Sequence, residues 1–193
     1  MLDNASTYPP LLDYYREIAA RPDKEAIQLI RLTQNLGHQA LWRSGILRQL
    51  QIRGPFVYSD PDIVPIADCP NDIIQIFWRI LAANPFVQKA GFGLKLDDLP
   101  DHFAKKAAVL FHENHFWEHR LPQQSPEQYL APIDTTFALY RHGNYYEIPC
   151  AIRTGHPYLA RHADWYLDSA NMPEEINYYY THAQSGVSWT QRL

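Results

Sequence analysis

Cysteine is scarce in this chain, and the two residues present, Cys69 and Cys150, stand far apart with no Cys-x-x-Cys spacing. That excludes a dithiol redox motif, a zinc ribbon and a disulfide-stapled scaffold, predicts two buried thiols, and favours a reducing, cytoplasmic setting. Positive charge is thin toward the C-terminus. All five lysines lie at or before Lys106, and from Leu121 onward four arginines face seven acids. No basic stripe exists to follow a phosphate backbone, so nucleic acid is not an expected partner. Apolar runs are too short to span a bilayer, and the first ten residues have neither the basic region nor the apolar stretch of a leader. The expectation is a soluble protein with no membrane partner. A Gly-rich phosphate loop, a Gly-x-Ser-x-Gly elbow and a Glu-x-x-His pair of the di-iron type are also missing.

Over 193 residues, apolar content of 46% and charged content of 20% are those of a folded chain with its own core. Net charge is −4. Eight of the nine histidines fall between His102 and His182, and nine of the thirteen tyrosines follow residue 120. This skew points to the C-terminal half as the functional half.

Helical spacing dominates the first 121 residues. Pro9-Pro10 opens a helix that ends before Pro22, and Asp23 caps a second that continues to about Ile52 with Gly37 as an interruption. Pro55 to Pro70, with four prolines, reads as an ordered loop or short edge strand. Ile73 to Leu81 is apolar almost all round and predicts a central core helix, after which Gly91 and Gly93 mark a turn. A fourth helix runs from Asp97 or Asp98 to Leu121. Beyond Pro122, residues 135–141 and 145–148 flanking His142-Gly143-Asn144 read as a β-hairpin, and Pro157 and Pro173 each open a further helix. The expected fold is mainly α: one domain over 1–193 with about six helices, a helical core at 1–121, and a hairpin with two helices at 122–193.

The densest chemistry lies in His112-Glu113-Asn114-His115-Phe116-Trp117-Glu118-His119. At about 100° per residue, Phe103, Ala107, Leu110, Trp117 and Leu121 share one arc of the fourth helix. His112, His115 and His119 occupy the opposite arc. His115 and His119 have the i, i+4 spacing that lets two imidazoles share a metal, and with Glu118 they spell His-x-x-Glu-His, where the carboxylate polarises a metal-bound water. The peptidases that use this motif need a further acidic ligand downstream, which nothing here ties down. His112 is about 10 Å along the axis from His119, too far to join the same ion. His162, on the face expected to be buried in the helix from Pro157, is the candidate third ligand. The plainer reading of His162 is a core histidine bonded to a carbonyl or tyrosine, and that of the three-histidine arc is a solvated polar face.

These residues predict a metal-dependent enzyme, holding zinc or non-haem iron and acting on a small or peptidic substrate. His115, His119 and His162 are its ligands and Glu118 its general base. Haem is the weaker cofactor match, since its Cys-x-x-Cys-His attachment signal is absent. The competing expectation is a non-catalytic accessory, adaptor or immunity-type protein. It would meet a protein or peptide partner through its acidic, tyrosine-rich C-terminal half, anchored by Tyr178 and Trp189.

Overall fold

One strand of this chain, Ala151–His162, is as long as its longest helix among the described residues. The computed structural model, which describes residues 1–21, 27–141, 146 and 148–182, replaces the expected mainly α fold with a mixed α/β one containing a six-stranded and a two-stranded sheet. It divides the chain into a unit of Met1–Leu50 with Met172–Leu193 and a second unit of Gln51–Asn171.

In the first unit, β1 (Leu2–Asp3) precedes α1 (Pro9–Ala20), which opens on its prolines as expected and buries Tyr15 and Ile18. The helix expected after Asp23 is not found in its described part. Ile30–Arg31 instead forms β2, parallel to β1, and only the short helices α2 (Ala40–Arg43) and α3 (Ile46–Gln49) follow, separated by Gly45 at φ 72°. The cause is Asp3, whose side chain is almost fully buried. Its carboxylate accepts from Arg31 Nε at 2.9 Å, Tyr15 Oη at 3.1 Å and the Ser6 backbone N–H at 3.1 Å, binding β2 and α1 to the N-terminus. A strand carrying the cation for a buried acid wins over moderate helix propensity.

The second unit begins with β3 (Phe56–Tyr58) and β4 (Ile63–Pro65), in the proline-rich segment where a loop or short edge strand was expected. α4 (Ile73–Ala83) stands where expected, but it is not surrounded by core. It buries Ile76, Phe77, Ile80 and Leu81, while Trp78 is 54% exposed. The glycines expected to mark a turn lie inside β5 (Lys89–Leu94), a fully buried strand. α5 (Lys106–Glu113) is a short remnant of the long fourth helix, continued by a 3₁₀ turn at Asn114–Trp117. Then come β6 (Gln128–Leu130), β7 (Ala138–Tyr140) and β8 (Ala151–His162), followed by a 3₁₀ turn at Ala163–Tyr166. α6 (Glu174–His182), in the first unit, is the helix expected after Pro173.

The sheet order is β3-β7-β5-β8-β4, with β6 also on β8. β5 and β8 are parallel, the other pairs antiparallel, so β3, β5 and β8 all run in one direction. The expected hairpin cannot form as drawn. Both edges of β7 are taken, Tyr140 lying opposite Phe56 on one side and Lys89 on the other, and residues 142–145 and 147 lie outside the described set. The helix expected from Pro157 is the second half of β8, where backbone pairing to β5 and β4 overrides the propensity reading. β3, β4 and β5 share this sheet with β6, β7 and β8, so it runs across residue 121.

Phe92 turns one way from β5, against Phe77 of α4 at 5.5 Å between ring centroids. Gly93 turns the other way, where an added Cβ would stand 2.6 Å from the Trp117 ring. Glycine in this strand is a packing requirement rather than a turn signal. Cys150 is exposed and Cys69 half-buried, so neither is the enclosed thiol expected. Among the described residues no helix is long and apolar enough to cross a membrane.

Two outcomes follow. Gly93→Ala should destabilise the second unit by about 1–3 kcal/mol, read as a lower denaturation midpoint. Burial raises the Asp3 pKa, but its bonds from Ser6, Arg31 and Tyr15 outweigh burial and hold it below the ordinary carboxylate range. A depressed carboxylate stabilises the fold above its unfolded pKa of about 4 and loses that contribution as pH falls through the folded value. Asp3→Asn should therefore be less stable than wild type at pH 7, and the two melting curves should converge in acid.

Candidate functional site

The switch from α5 to a 3₁₀ turn dismantles the helical arc that grouped the three histidines. His112 lies in the last turn of α5 and His115 in the 3₁₀ turn, so the i, i+4 geometry linking His115 to His119 is not maintained. All three are exposed, as is Glu118. His115 packs on Phe111 at 5.7 Å and His112 on Phe116 at 5.3 Å, while the His119 carbonyl accepts from the Leu130 N–H at 2.9 Å. The buried acid of this segment is Glu113, which receives Arg153 Nη1 at 2.7 Å. Arg153 also donates to the Pro132 carbonyl at 2.8 Å and lies over the Phe116 ring at 4.1 Å. That ion pair fastens α5 to β8 and is structural.

His162 stands elsewhere, at the end of β8. It lies opposite Ile63 of β4 and is stacked on Trp165 at 4.7 Å with the rings 6° from parallel. Its Nδ1 is 2.9 Å from Asp62 Oδ2. The ring nitrogen is buried, and the Asp62 carboxylate holds it by charge and hydrogen bonding. The structure thus gives His162 a carboxylate neighbour rather than His115 or His119. Among the described residues, no group of three histidine, cysteine or acidic side chains is arranged to hold a metal ion by itself.

Asp62 reaches this position because β3 ends at Tyr58 and the chain turns through Ser59-Asp60-Pro61-Asp62 into β4. The turn is pinned at both ends: the Asp60 N–H donates to the Thr135 carbonyl at 3.0 Å, and the Ala163 N–H to the Asp62 carbonyl at 2.7 Å. Thr135 Oγ1 returns a bond to Asp60 Oδ2 at 2.6 Å. Burial pushes the Asp60 carboxyl up to about 6, with Asp62 and Asp134 adding to the rise against the Thr135 bond. Burial works against a charged His162, but the Asp62 carboxylate, with Asp164 and Asp60, holds it above its ordinary value. Burial, Asp60 and Asp134 push the Tyr58 hydroxyl up to about 12.

At the opposite, amino end of β5, Lys89 is 1% exposed, donates to the Asp134 carbonyl at 3.4 Å and lies over the rings of Tyr140 and Tyr146. Where β5 ends, Asp98 is bound by Arg161, Tyr166 and Lys95. Burial raises its pKa, and the bonds from Arg161 and Tyr166 more than reverse this. The carboxyl ends of β3, β5 and β8 therefore carry Asp60, Asp62, Asp98, His162 and Asp164, with cations spoken for except where a ligand would bring its own. Sequence reasoning missed the Asp-Pro-Asp turn. Its signal was two carboxylates directly after the short strand-like run Phe56-Val57-Tyr58.

Tyr178 is half-buried within the first unit, bonded to Thr7 Oγ1 at 2.9 Å, in contact with Tyr8 and stacked on His182 at 3.8 Å. Trp189 lies outside the described residues. No known protein family, characterised protein or solved structure matches the chain.

Removing one partner of the buried Glu113–Arg153 pair leaves an uncompensated charge. Glu113→Gln should cost about 3–5 kcal/mol in chemical denaturation, whereas His115→Ala and His119→Ala should each stay within about 0.5 kcal/mol of wild type.

Proposed function

We propose that this chain is a divalent-cation-dependent enzyme of group transfer, with its site at the carboxyl edge of the sheet rather than on the histidine-rich segment. Asp62 and His162 hold the cation, and a diphosphate-bearing, nucleotide-type donor completes the coordination. The observation that carries the reading is the 2.9 Å approach of His162 Nδ1 and Asp62 Oδ2 at the carboxyl edge of the sheet. Two neighbouring ligands of an octahedral ion, each about 2.1 Å from it, stand about 3 Å apart.

Two further features support it. Hard cations of the magnesium and manganese type are held by one or two protein carboxylates, with substrate phosphates and water filling the remaining positions, so a third protein ligand is not required. Ligands of open α/β sheets bind outside the carboxyl ends of the parallel strands, and β3, β5 and β8 all end at this edge; this second argument is an analogy of architecture. Zinc and ferrous iron also accept a carboxylate–imidazole pair, and the test below includes them.

In this reading Asp60 is the second carboxylate of the turn, its orientation held by Thr135. Crowding by Asp62 and Asp134 opposes its ionisation, and a bound cation relieves that repulsion. Trp165 fixes the plane of the His162 ring and covers one side of it. When bound, the cation supplies neutralisation of the charge that develops on a departing diphosphate.

The test is titration of metal-free protein with Mn²⁺ followed by electron paramagnetic resonance, repeated with Mg²⁺, Zn²⁺ and Fe²⁺ as competitors and with uridine or guanosine diphosphate present. One saturable site, tightened by the nucleotide and weakened at least tenfold by Asp62→Asn or His162→Ala, is expected. His115→Ala and His119→Ala should leave it unchanged. Binding indifferent to Asp62 and His162 in folded variants would overturn the reading.

A further inference from the structure

α4 lies on the sheet by one arc and leaves the other uncovered. The inner arc buries Ile76, Phe77, Ile80 and Leu81, with the Phe77 ring 6.3 Å from that of Phe137 as well as against Phe92. On the outer arc Ile74 is 42% and Trp78 54% exposed, and Ala82 is exposed with them. Spaced four apart, these three stand one above another along a single stripe. Isolated exposed apolar side chains are ordinary, but an isoleucine and an indole one turn apart make a continuous patch. A charged flank runs beside it. Arg79 sits about 100° round from Trp78, and Asp72, seven positions earlier, shares that side of the helix. Asp72 accepts from Tyr158 Oη at 2.8 Å, which steadies its carboxylate at the start of α4. Among the described residues no carboxylate is ion-paired with Arg79.

We infer that this face is a self-association surface, on which α4 of a second copy packs antiparallel across a two-fold axis. The same register satisfies the apolar and the charged residues. With the axis at Ile76, Trp78 of each copy meets Ile74 of the other. With the axis between Gln75 and Ile76, Asp72 of each copy stands opposite Arg79 of the other. These two registers differ by a slide of one residue, about 1.5 Å, which an arginine side chain takes up. Antiparallel helices bring like flanks together, so the charged side of one copy faces the charged side of its partner. The face is thus its own complement, as an isologous two-fold contact requires.

Charge argues for a second copy over a lipid surface. One arginine set against the exposed Asp68 and Asp72 gives an anionic membrane nothing to hold. Trp78 is the anchor, since a tryptophan at the centre of a contact carries a large share of its energy. One pair of 11-residue helices buries less than the roughly 1,200–2,000 Å² of a standard interface. The dimer is therefore weak, with a dissociation constant on the order of 10–100 µM. None of this depends on the cation site proposed above.

The test is sedimentation equilibrium of the full chain from about 5 to 500 µM, with Trp78→Ala, Arg79→Glu and Asp72→Lys beside wild type. All three positions are exposed, and circular dichroism checks that each variant is folded. Wild type should dimerise reversibly, and Trp78→Ala should weaken the dimer about tenfold or more. Arg79→Glu and Asp72→Lys each set like charges against one another at both contacts of their own dimer, and each should weaken it about fivefold. Mixed in equal amounts, the two variants regain opposite charges at both contacts, so a heterodimer of about wild-type strength should form. If Asp72→Lys fails to fold once its bond from Tyr158 is lost, Trp78→Ala and Arg79→Glu decide. A wild-type monomer throughout the range, a dimer indifferent to Trp78→Ala or Arg79→Glu, or a mixture of folded variants no tighter than its components overturns the inference.

Discussion

The parallel pairing of β5 with β8 is the constraint on which the second unit depends. β8 is the long strand, and it bonds β5 along one side and both β6 and β4 along the other. Its register on β5 slips between Phe92 and Gly93, where β8 carries the extra residues from Gly155 to Tyr158. Thr154, fully buried, secures the slip by donating its hydroxyl toward the Gly91 and Tyr158 carbonyls. Because the slip brings Leu159 opposite Gly93 and Ala160 opposite Leu94, the strand ends present Lys95 and His162 at one edge.

Glycine makes that pairing close enough to be useful. Gly91 brings the β7 backbone within contact of β5, since a Cβ there would meet the Ala138 side chain at 2.7 Å. Gly93 admits Trp117. Such strands give up side-chain contacts of their own so that neighbours can supply them. Unusual composition in a buried strand thereby becomes a shaped surface at its end.

The electrostatics divide the charged residues into two kinds. Glu113–Arg153 is enclosed and matched, and the carboxylate of Asp3 is matched by Arg31, so these hold elements together. Asp60 is half-buried and held by the Thr135 hydroxyl; burial, Asp62 and Asp134 raise its proton affinity further than Thr135 and His162 lower it. A fold tolerates an acid of that second kind where a cation or a proton is to be held. The contrast separates the structural acids from the candidate site more reliably than the local density of histidine does.

Local signals determined three helices outright. α1 and α6 follow prolines that pre-set the first turn, and α4 carries an unmistakable apolar run. The strands were not legible in the same way, because β5 and the first half of β8 are buried residue after residue and lack the alternation that marks a half-exposed strand. The histidine cluster misled because i, i+4 spacing means one face only while the α-helix lasts, and here it ends at Glu113. Asp62 and His162 lie one hundred residues apart, and no local periodicity joins them. Only the antiparallel pairing of β4 with β8 does so, since backbone hydrogen bonds between distant segments decide which side chains meet.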